Sequence, residues 1–217
     1  MSTVQTPPTA RTDAPPMPAR PAAARPQRRL SAPQIRLAGA AALVLLGLFA
    51  LFTALPWPTD GDAYLGDDVA SVAYSASLAI VIGLALRGGA FGPGRVWRAV
   101  GAVAFAALVG ATAFLAVGPL LPQVVVEQAE HVISPLTLGA FWLAAVGILA
   151  VGHWHGPARA LPFLTASWPM TVVGVVLVGD AGLDESAWLA FVVHLGLGQA
   201  LTAIALIADA RRLAAAS

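Results

Sequence analysis

Long apolar segments alternate with short polar connections along most of this chain. Six segments are long enough for a helix to cross a hydrocarbon core of about 30 Å at a rise of about 1.5 Å per residue. They cover residues 37–55, 69–86, 96–118, 135–152, 161–179 and 187–208. The pattern predicts an all-α membrane protein whose residues 33–212 form a six-helix transmembrane bundle.

Local sequence predicts two details of these helices. Ser134 can cap the fourth helix, with Pro135 at its first position. Ser167, Trp168, Pro169 and Thr171 give the fifth helix a stretch that can kink and form hydrogen bonds.

The composition indicates the same class of protein. Of the 217 residues, 58% are hydrophobic and 11% are charged, so lipid must cover most of the surface. With a net charge of only +1, the chain lacks the excess positive charge that nucleic-acid binding requires, so no nucleic-acid partner is expected. Cysteine is absent, which excludes disulfides, thiolate metal sites and iron–sulfur clusters. The expected partners are membrane lipid and either other membrane subunits or further copies of the chain.

Residues 1–32 have a different composition from the rest. They are rich in Pro, Ala and Arg and show no apolar periodicity, so we expect a disordered cytoplasmic tail. A secretory signal is not expected, because the first apolar segment has full transmembrane length. The arginines of the tail can bind anionic lipid, or the tail can act only in setting the orientation.

Charge divides the connections into two groups. All 12 arginines lie in the tail, at Arg36, in the connection 87–98, at Arg159, or at Arg211 and Arg212. The other three connections contain most of the acidic residues, namely Asp60, Asp62, Asp67, Asp68, Glu127, Glu130, Asp180, Asp184 and Glu185. The positive-inside rule therefore predicts that both termini are cytoplasmic. Basic charge carried by arginine alone is typical of a GC-rich bacterium, so we expect a bacterial cytoplasmic (inner) membrane.

Small residues recur every four positions on two of the spans. Ala38 and Ala42 do so on the first span, and Ala102, Ala106 and Gly110 do so on the third. Small side chains at this spacing let helices approach closely in lipid. Internal packing is the primary interpretation, and a docking face for a partner is the alternative.

His194 is the one ionisable side chain well inside a predicted span, about 10 Å from its outer end. Intramembrane ionisable groups are candidates for function. The alternative is a neutral imidazole that bonds a carbonyl or a hydroxyl on a neighbouring helix.

Polar residues also occupy the outer half of the second span. Ser71, Tyr74 and Ser75 are three and four residues apart, so we expect them to share a helix face. They continue the acidic run of Asp67 and Asp68 into the membrane. The sequence therefore predicts an outer cavity for a small polar solute, formed by His194, Tyr74, Ser71, Ser75, Asp67 and Asp68.

Metal and haem binding are the remaining cofactor hypotheses. In a helix, Glu127 and His131 share one face with Glu130 adjacent, which is a spacing that can hold a divalent cation. The alternative is the solvated face of an interfacial helix. A haem needs two axial ligands at matching depths, and the histidines provide no such pair. We therefore expect no haem, and His153-Trp154-His155 is predicted to act as an interfacial anchor.

Two families share this architecture. In size, helix number and topology, the chain is similar to the substrate-binding subunits of energy-coupling-factor vitamin transporters, which capture a solute under outer loops. It also resembles rhomboid-type intramembrane proteases, which pair a serine of the fourth helix with a histidine of the sixth. Ser134 and His194 match those positions, although Val132-Ile133-Ser134-Pro135 replaces the Gly-x-Ser-Gly motif.

These patterns favour a non-enzymatic membrane protein. The primary hypothesis is a solute-binding or permease subunit, or an accessory subunit of a larger membrane complex. The alternative is an intramembrane hydrolase that uses Ser134 and His194.

The predicted topology can be tested with reporter fusions. Fusions after Arg95 and Arg159 should be cytoplasmic, because the arginine-rich connections resist translocation. Fusions after Asp62, Glu130 and Asp184 should lie on the opposite side. The measurement is the activity of a reporter that works on one side of the membrane only. A single connection on the other side would contradict the six-span arrangement.

Overall fold

The computed structural model describes residues 30–54, 65–171, 173 and 185–216, apart from the side chains of residues 65–67, 123, 127, 130, 185–188 and 216. The helices in these ranges are α1 Ala32–Ala54, α2 Leu65–Arg87, α3 Arg95–Val117, α4 Gln123–Val151, α5 Pro157–Ala166, α6 Glu185–Ala208 and α7 Ala210–Ala216. A 3-10 turn, Gly118–Leu120, follows α3. No strand occurs in the described ranges, which confirms the all-α class.

Five of the described helices, α1, α2, α3, α4 and α6, are long and apolar enough to cross a membrane. The fifth predicted span, residues 161–179, is described only as far as residues 171 and 173. Within it, α5 ends at Ala166, Ser167 forms a turn and residues 168–171 are helical again. The kink is therefore confirmed, while the sixth crossing stays a prediction. Of the predicted disordered tail at 1–32, residues 1–29 lie outside the described residues. The prediction is wrong for residues 30–32, because Leu30 is buried against the core and α1 begins at Ala32.

The helices form a closed ring. Each of α1 to α5 packs against the next helix in the chain, and α6 returns to pack against both α5 and α1. α2 is the most enclosed of the five. In its most apolar stretch 61% of the residues are buried, compared with 17–33% in the other four helices. The core accordingly lies around Leu78, Val81, Ile82 and Ala85 of α2.

Small residues on α1 and α3 have different surroundings. On α1, Ala42 is fully buried, so internal packing is confirmed there. On α3, Ala102, Ala106 and Gly110 are all exposed, and internal packing is wrong for this set. The buried face of α3 is formed instead by Gly101, Ala104, Leu108 and Ala111. Both faces of α3 carry small residues, so periodicity alone could not distinguish them.

The fourth helix begins earlier than its sequence predicts. α4 starts at Gln123 behind Pro122, and Pro135 lies inside it. Ser134 is therefore not the N-terminal cap. A proline costs a helix one hydrogen bond, which membrane helices tolerate because neighbouring groups compensate. With 29 residues, α4 is about 43 Å long and extends beyond a hydrocarbon core of about 30 Å.

The end of the bundle where α2 and α4 terminate, here called the arginine end, is closely packed. Phe91 and Trp154, from the α2–α3 and α4–α5 connections, are 1% and 2% exposed. A Cβ on Gly101 would lie 2.5 Å from Phe91 Cε2, so a glycine is needed to admit this ring. The prediction that Trp154 anchors the interface is wrong, because the side chain packs into the core while His153 and His155 are exposed.

Backbone caps complete the helix ends at the arginine end. Gly89, with φ of +69°, reverses the chain after α2. The Gly88 N–H donates to the Leu84 carbonyl at 2.8 Å, and the Ala90 N–H donates to the Ala85 carbonyl at 2.9 Å. At the end of α4, Arg159 donates from Nε and Nη2 to the Leu149 carbonyl at 2.9 and 2.7 Å. Main-chain acceptors at these ends are thus satisfied by the chain itself.

Candidate functional site

His194 connects α6 to the kinked segment around Ser167. Its Nε2 lies 2.8 Å from the Leu164 carbonyl oxygen, and its Nδ1 lies 2.8 Å from the Thr171 hydroxyl. A carbonyl can only accept a hydrogen bond, so Nε2 carries the ring proton. In this tautomer Nδ1 is unprotonated and accepts a hydrogen bond from the Thr171 hydroxyl. Both ring nitrogens are therefore used to hold the kinked segment against α6.

The break after α5 lies beside this contact. Pro169 lacks an N–H and cannot continue the hydrogen-bond ladder of α5. The Ser167 hydroxyl donates to the Leu164 carbonyl at 2.6 Å, and the Ser167 N–H reaches the same oxygen at 3.2 Å. Inside a bilayer no water binds backbone groups at such a break, so side chains take its place. His194 supplies one of these side-chain donors.

The polar side chains of α2 diverge. Ser75 is buried and donates to the Leu108 carbonyl of α3 at 3.3 Å, with the Thr112 hydroxyl 2.9 Å away. Tyr74 faces α1, where its ring centroid lies 5.1 Å from that of Phe49. Ser71 is exposed. The three residues therefore do not line one surface, because adjacent positions on a helix are about 100° apart.

The hydroxyl of Tyr74 on α2 is buried and has no hydrogen-bond partner within the described ranges. Asp68, one and a half turns earlier, is half-buried and has an interaction of its own. The Asp67 side chain lies outside the described residues. Among the described residues of the predicted cavity, Tyr74 thus has a buried polar atom without a partner.

A second polar cluster lies deeper in the bundle, around Gln199. Gln199 Nε2 donates to the Ser77 hydroxyl at 3.1 Å, and Ser77 donates to the Ala42 carbonyl at 3.3 Å. This chain of bonds joins α6, α2 and α1. Gln199 and Ser77 are both 0% exposed, and Gln199 Oε1 is a buried acceptor with no partner in the described part of the chain. The signal available in the sequence was Gln199, a glutamine on a largely apolar helix that also carries His194 and Thr202.

Thr165 and Thr202 extend this cluster to α5. Each hydroxyl donates to the carbonyl four residues earlier, at 2.8 Å in both cases, and the two oxygens are 3.5 Å apart. Because each proton is already used, the pair is a close packing contact. Gly198 allows it, since a Cβ there would lie 2.7 Å from Thr165 Oγ1. The two threonines thus bond within their own helices and bring α5 and α6 together only by packing.

His194 and Tyr74 are not brought together. The Phe49 ring of α1 packs on Tyr74, and its Cε1 would lie 3.5 Å from a Cβ placed on Gly196. α1 thus lies between α2 and α6 at this level, while the imidazole faces α5. A cavity beneath the outer connections stays a prediction, because residues 55–64 and 174–184 lie outside the described ranges.

The remaining candidates are on α4. His131 and Ser134 are exposed. Within the described side chains no group of three His, Asp or Glu residues could hold a metal ion. Glu127 and Glu130 are not among those side chains, so the divalent-cation hypothesis stays untested. Ser134 has no hydrogen bond with His194, whose two nitrogens bind Leu164 and Thr171.

Fold and site together define an all-α protein of membrane-like architecture, in which interior side chains such as Gln199 and His194 bond to neighbouring helices. Comparison of the chain with known protein families, with curated proteins and with solved structures gives no match. The assignment beyond this class therefore depends on the geometry.

The structural role of His194 predicts the effect of its replacement. His194→Leu should lower the free energy of unfolding by about 0.5–2 kcal/mol, because it removes two hydrogen bonds at a helix break. His194→Gln keeps one hydrogen-bond donor and should lower the free energy of unfolding by a smaller amount. The measurement is unfolding of the full-length protein in mild detergent by titration with a denaturing detergent.

Ser134→Ala is the matched control, since Ser134 is exposed and should change the stability by no more than about 0.5 kcal/mol. Equal stability of wild type and His194→Leu would show that the hydrogen bonds of the imidazole do not stabilise the fold.

Proposed function

We propose that the protein is an accessory subunit of a larger assembly in the bacterial cytoplasmic membrane, and that α3 is the helix that binds the partner. The observation that carries the proposal is a row of exposed small residues along α3, here called the α3 stripe. It consists of Ala99, Ala102, Ala106, Gly110 and Ala113. A Cβ on Gly110 would meet no atom within 4 Å, so the row has no internal packing role.

The shape of this surface suits a partner helix. Small side chains leave the backbone of α3 accessible, and close backbone approach is what associates helices in lipid. Val103 and Val109, which are 65% and 44% exposed, lie on either side of the α3 stripe. They give the surface two raised edges with a shallow groove between them. A helix that enters this groove gains van der Waals contact that lipid chains provide less well.

The contacts of His194 support a non-enzymatic role. A catalytic base must be able to reach its nucleophile, and both imidazole nitrogens are engaged by Leu164 and Thr171. The geometry therefore gives the hydrolase alternative no support. An accessory subunit needs no catalytic group, and the other interior polar side chains, such as Gln199 and Ser77, also bind neighbouring helices.

The charge distribution supports the proposed orientation. The described arginines at the arginine end include Arg36 near the start of α1, Arg87 at the end of α2 and Arg95 at the start of α3. Arg159 follows α4, and α7 contributes two more. Arginines beside transmembrane segments are retained on the cytoplasmic side. On this basis both termini are cytoplasmic.

A solute-binding subunit is the second candidate, and Tyr74 is the observation that favours it. A buried hydroxyl without a partner costs about 1–3 kcal/mol, which a bound polar solute would offset. Asp68 on the same helix would give such a site a preference for cationic or neutral solutes. Tyr74→Phe should then abolish solute binding without lowering stability, whereas an accessory subunit would be unaffected.

Cysteine cross-linking tests the accessory role, because the chain contains no cysteine of its own. Gly110→Cys should form cross-links to a membrane protein in whole cells, because position 110 faces the partner. Ala40→Cys is the matched control, since Ala40 is exposed on α1 away from the α3 stripe. The measurement is the mobility of the tagged protein in a denaturing gel, followed by mass spectrometry of each product.

The products distinguish the possible partners. A cross-link to a different protein supports the accessory-subunit proposal. A disulfide between two copies of the chain would instead indicate a homo-oligomer. Equal cross-linking at positions 40 and 110 would show that the α3 stripe faces lipid.

A further inference from the structure

An open groove of about 450 Å³ lies between α1, α2 and α3 near the arginine end. Its volume is within the range of about 300–1,000 Å³ that is usual for small-molecule sites. Ala38, Ala79 and Gly83 contribute small side chains to its lining, and Phe105 and Val109 contribute larger apolar ones. The groove therefore exists because α1 and α2 carry small residues opposite α3.

Polar groups occur at one end of this groove only. Arg87 and Gln34 line it there, near the end of α2 and the start of α1. Gln34 Oε1 accepts the Ser31 N–H at 2.9 Å, which leaves the side-chain amide N–H groups free to donate. The groove thus joins a cluster of donors to a long apolar surface.

Arg87 has no acceptor within the described ranges, unlike two other arginines at this end. Arg159 binds the Leu149 carbonyl, and Arg212 lies 3.8 Å from Asp209. At this end of α2 the carbonyls of Leu84 and Ala85 are already bonded, since they accept the N–H groups of Gly88 and Ala90. Its guanidinium offers five N–H donors with a full positive charge. An anion is the ligand that this arrangement lacks.

We propose that the groove binds one anionic phospholipid of the leaflet at the arginine end. The phosphate lies between the Arg87 guanidinium and the Gln34 amide, and an acyl chain follows Ala38, Gly83 and Phe105. From Arg87 to Ala79 the groove extends about 12 Å along α2, which accommodates the first part of such a chain. Basic pockets between transmembrane helices are suited to anionic headgroups.

Charge disfavours the N-terminal tail as the occupant. The part of the tail closest to the groove in sequence carries Arg25, Arg28 and Arg29, which Arg87 would repel. A free phosphate would use the donors but leave the apolar lining uncovered. A phospholipid satisfies both parts of the groove.

Native mass spectrometry of the full-length protein in mild detergent tests this proposal. The probes are palmitoyl-oleoyl phosphatidylglycerol and the zwitterionic phosphatidylcholine with the same chains. Wild type should bind one phosphatidylglycerol more tightly than phosphatidylcholine. Arg87→Gln should weaken phosphatidylglycerol binding about fivefold and leave phosphatidylcholine nearly unchanged. Arg36→Gln is the matched control, because Arg36 is exposed but does not line the groove.

A second variant tests the apolar part of the groove. Ala38→Leu fills the groove and should weaken both lipids, with a melting curve to show that the protein is folded. The proposal is overturned if Arg36→Gln and Arg87→Gln have equal effects, or if folded Ala38→Leu binds both lipids normally. It is also overturned if deletion of residues 1–29 strengthens phosphatidylglycerol binding, or if a dimer forms that excludes lipid, because the tail or a second copy then occupies the groove.

Discussion

The bundle depends on the contact between α1 and α6, which closes a row of helices into a ring. Gly39 makes that contact possible. A Cβ at this position would lie 2.7 Å from Ile207 Cγ1 and 3.0 Å from the Ala203 carbonyl oxygen. In lipid, burial of apolar surface does not drive helices together, so dispersion contacts at such short range are the main source of association. The other helices need only pack on their neighbours in the chain.

Polar contacts follow the same seams between helices. The Gln199–Ser77–Ala42 chain crosses from α6 through α2 to α1, and His194 secures the kinked segment after α5. These hydrogen bonds join helices inside the bundle, although the buried Tyr74 hydroxyl and Gln199 Oε1 have no partner in the described ranges. At the surface, the α3 stripe offers close backbone approach and Arg87 offers a charge. The proposed contacts with a partner and a lipid both use this outer surface.

Sequence reasoning succeeds here where a property is local. The positions of five spans follow from apolar length, and the kink follows from Pro169, whose missing N–H acts wherever it lies. The start of α4 was mispredicted because a proline after Ser134 resembles a helix start, although membrane helices also tolerate proline internally. The partners of His194 and the exposure of the α3 stripe depend on which helices are adjacent. The periodicity of a sequence shows which residues share a helix face, but it does not show which helix packs against that face.

Two glycines of α1 provide the most direct test of ring closure. Gly39→Ala should lower the free energy of unfolding in mild detergent by about 1–3 kcal/mol, because the added methyl group overlaps Ile207 and the backbone of α6. Gly47→Ala, on the same helix with no atom within 4 Å of its Cβ, should raise it by about 0.5–1 kcal/mol through helix propensity. Opposite signs are the predicted result. If Gly39→Ala is as stabilising as Gly47→Ala, α1 and α6 are not in close contact and the ring is not closed.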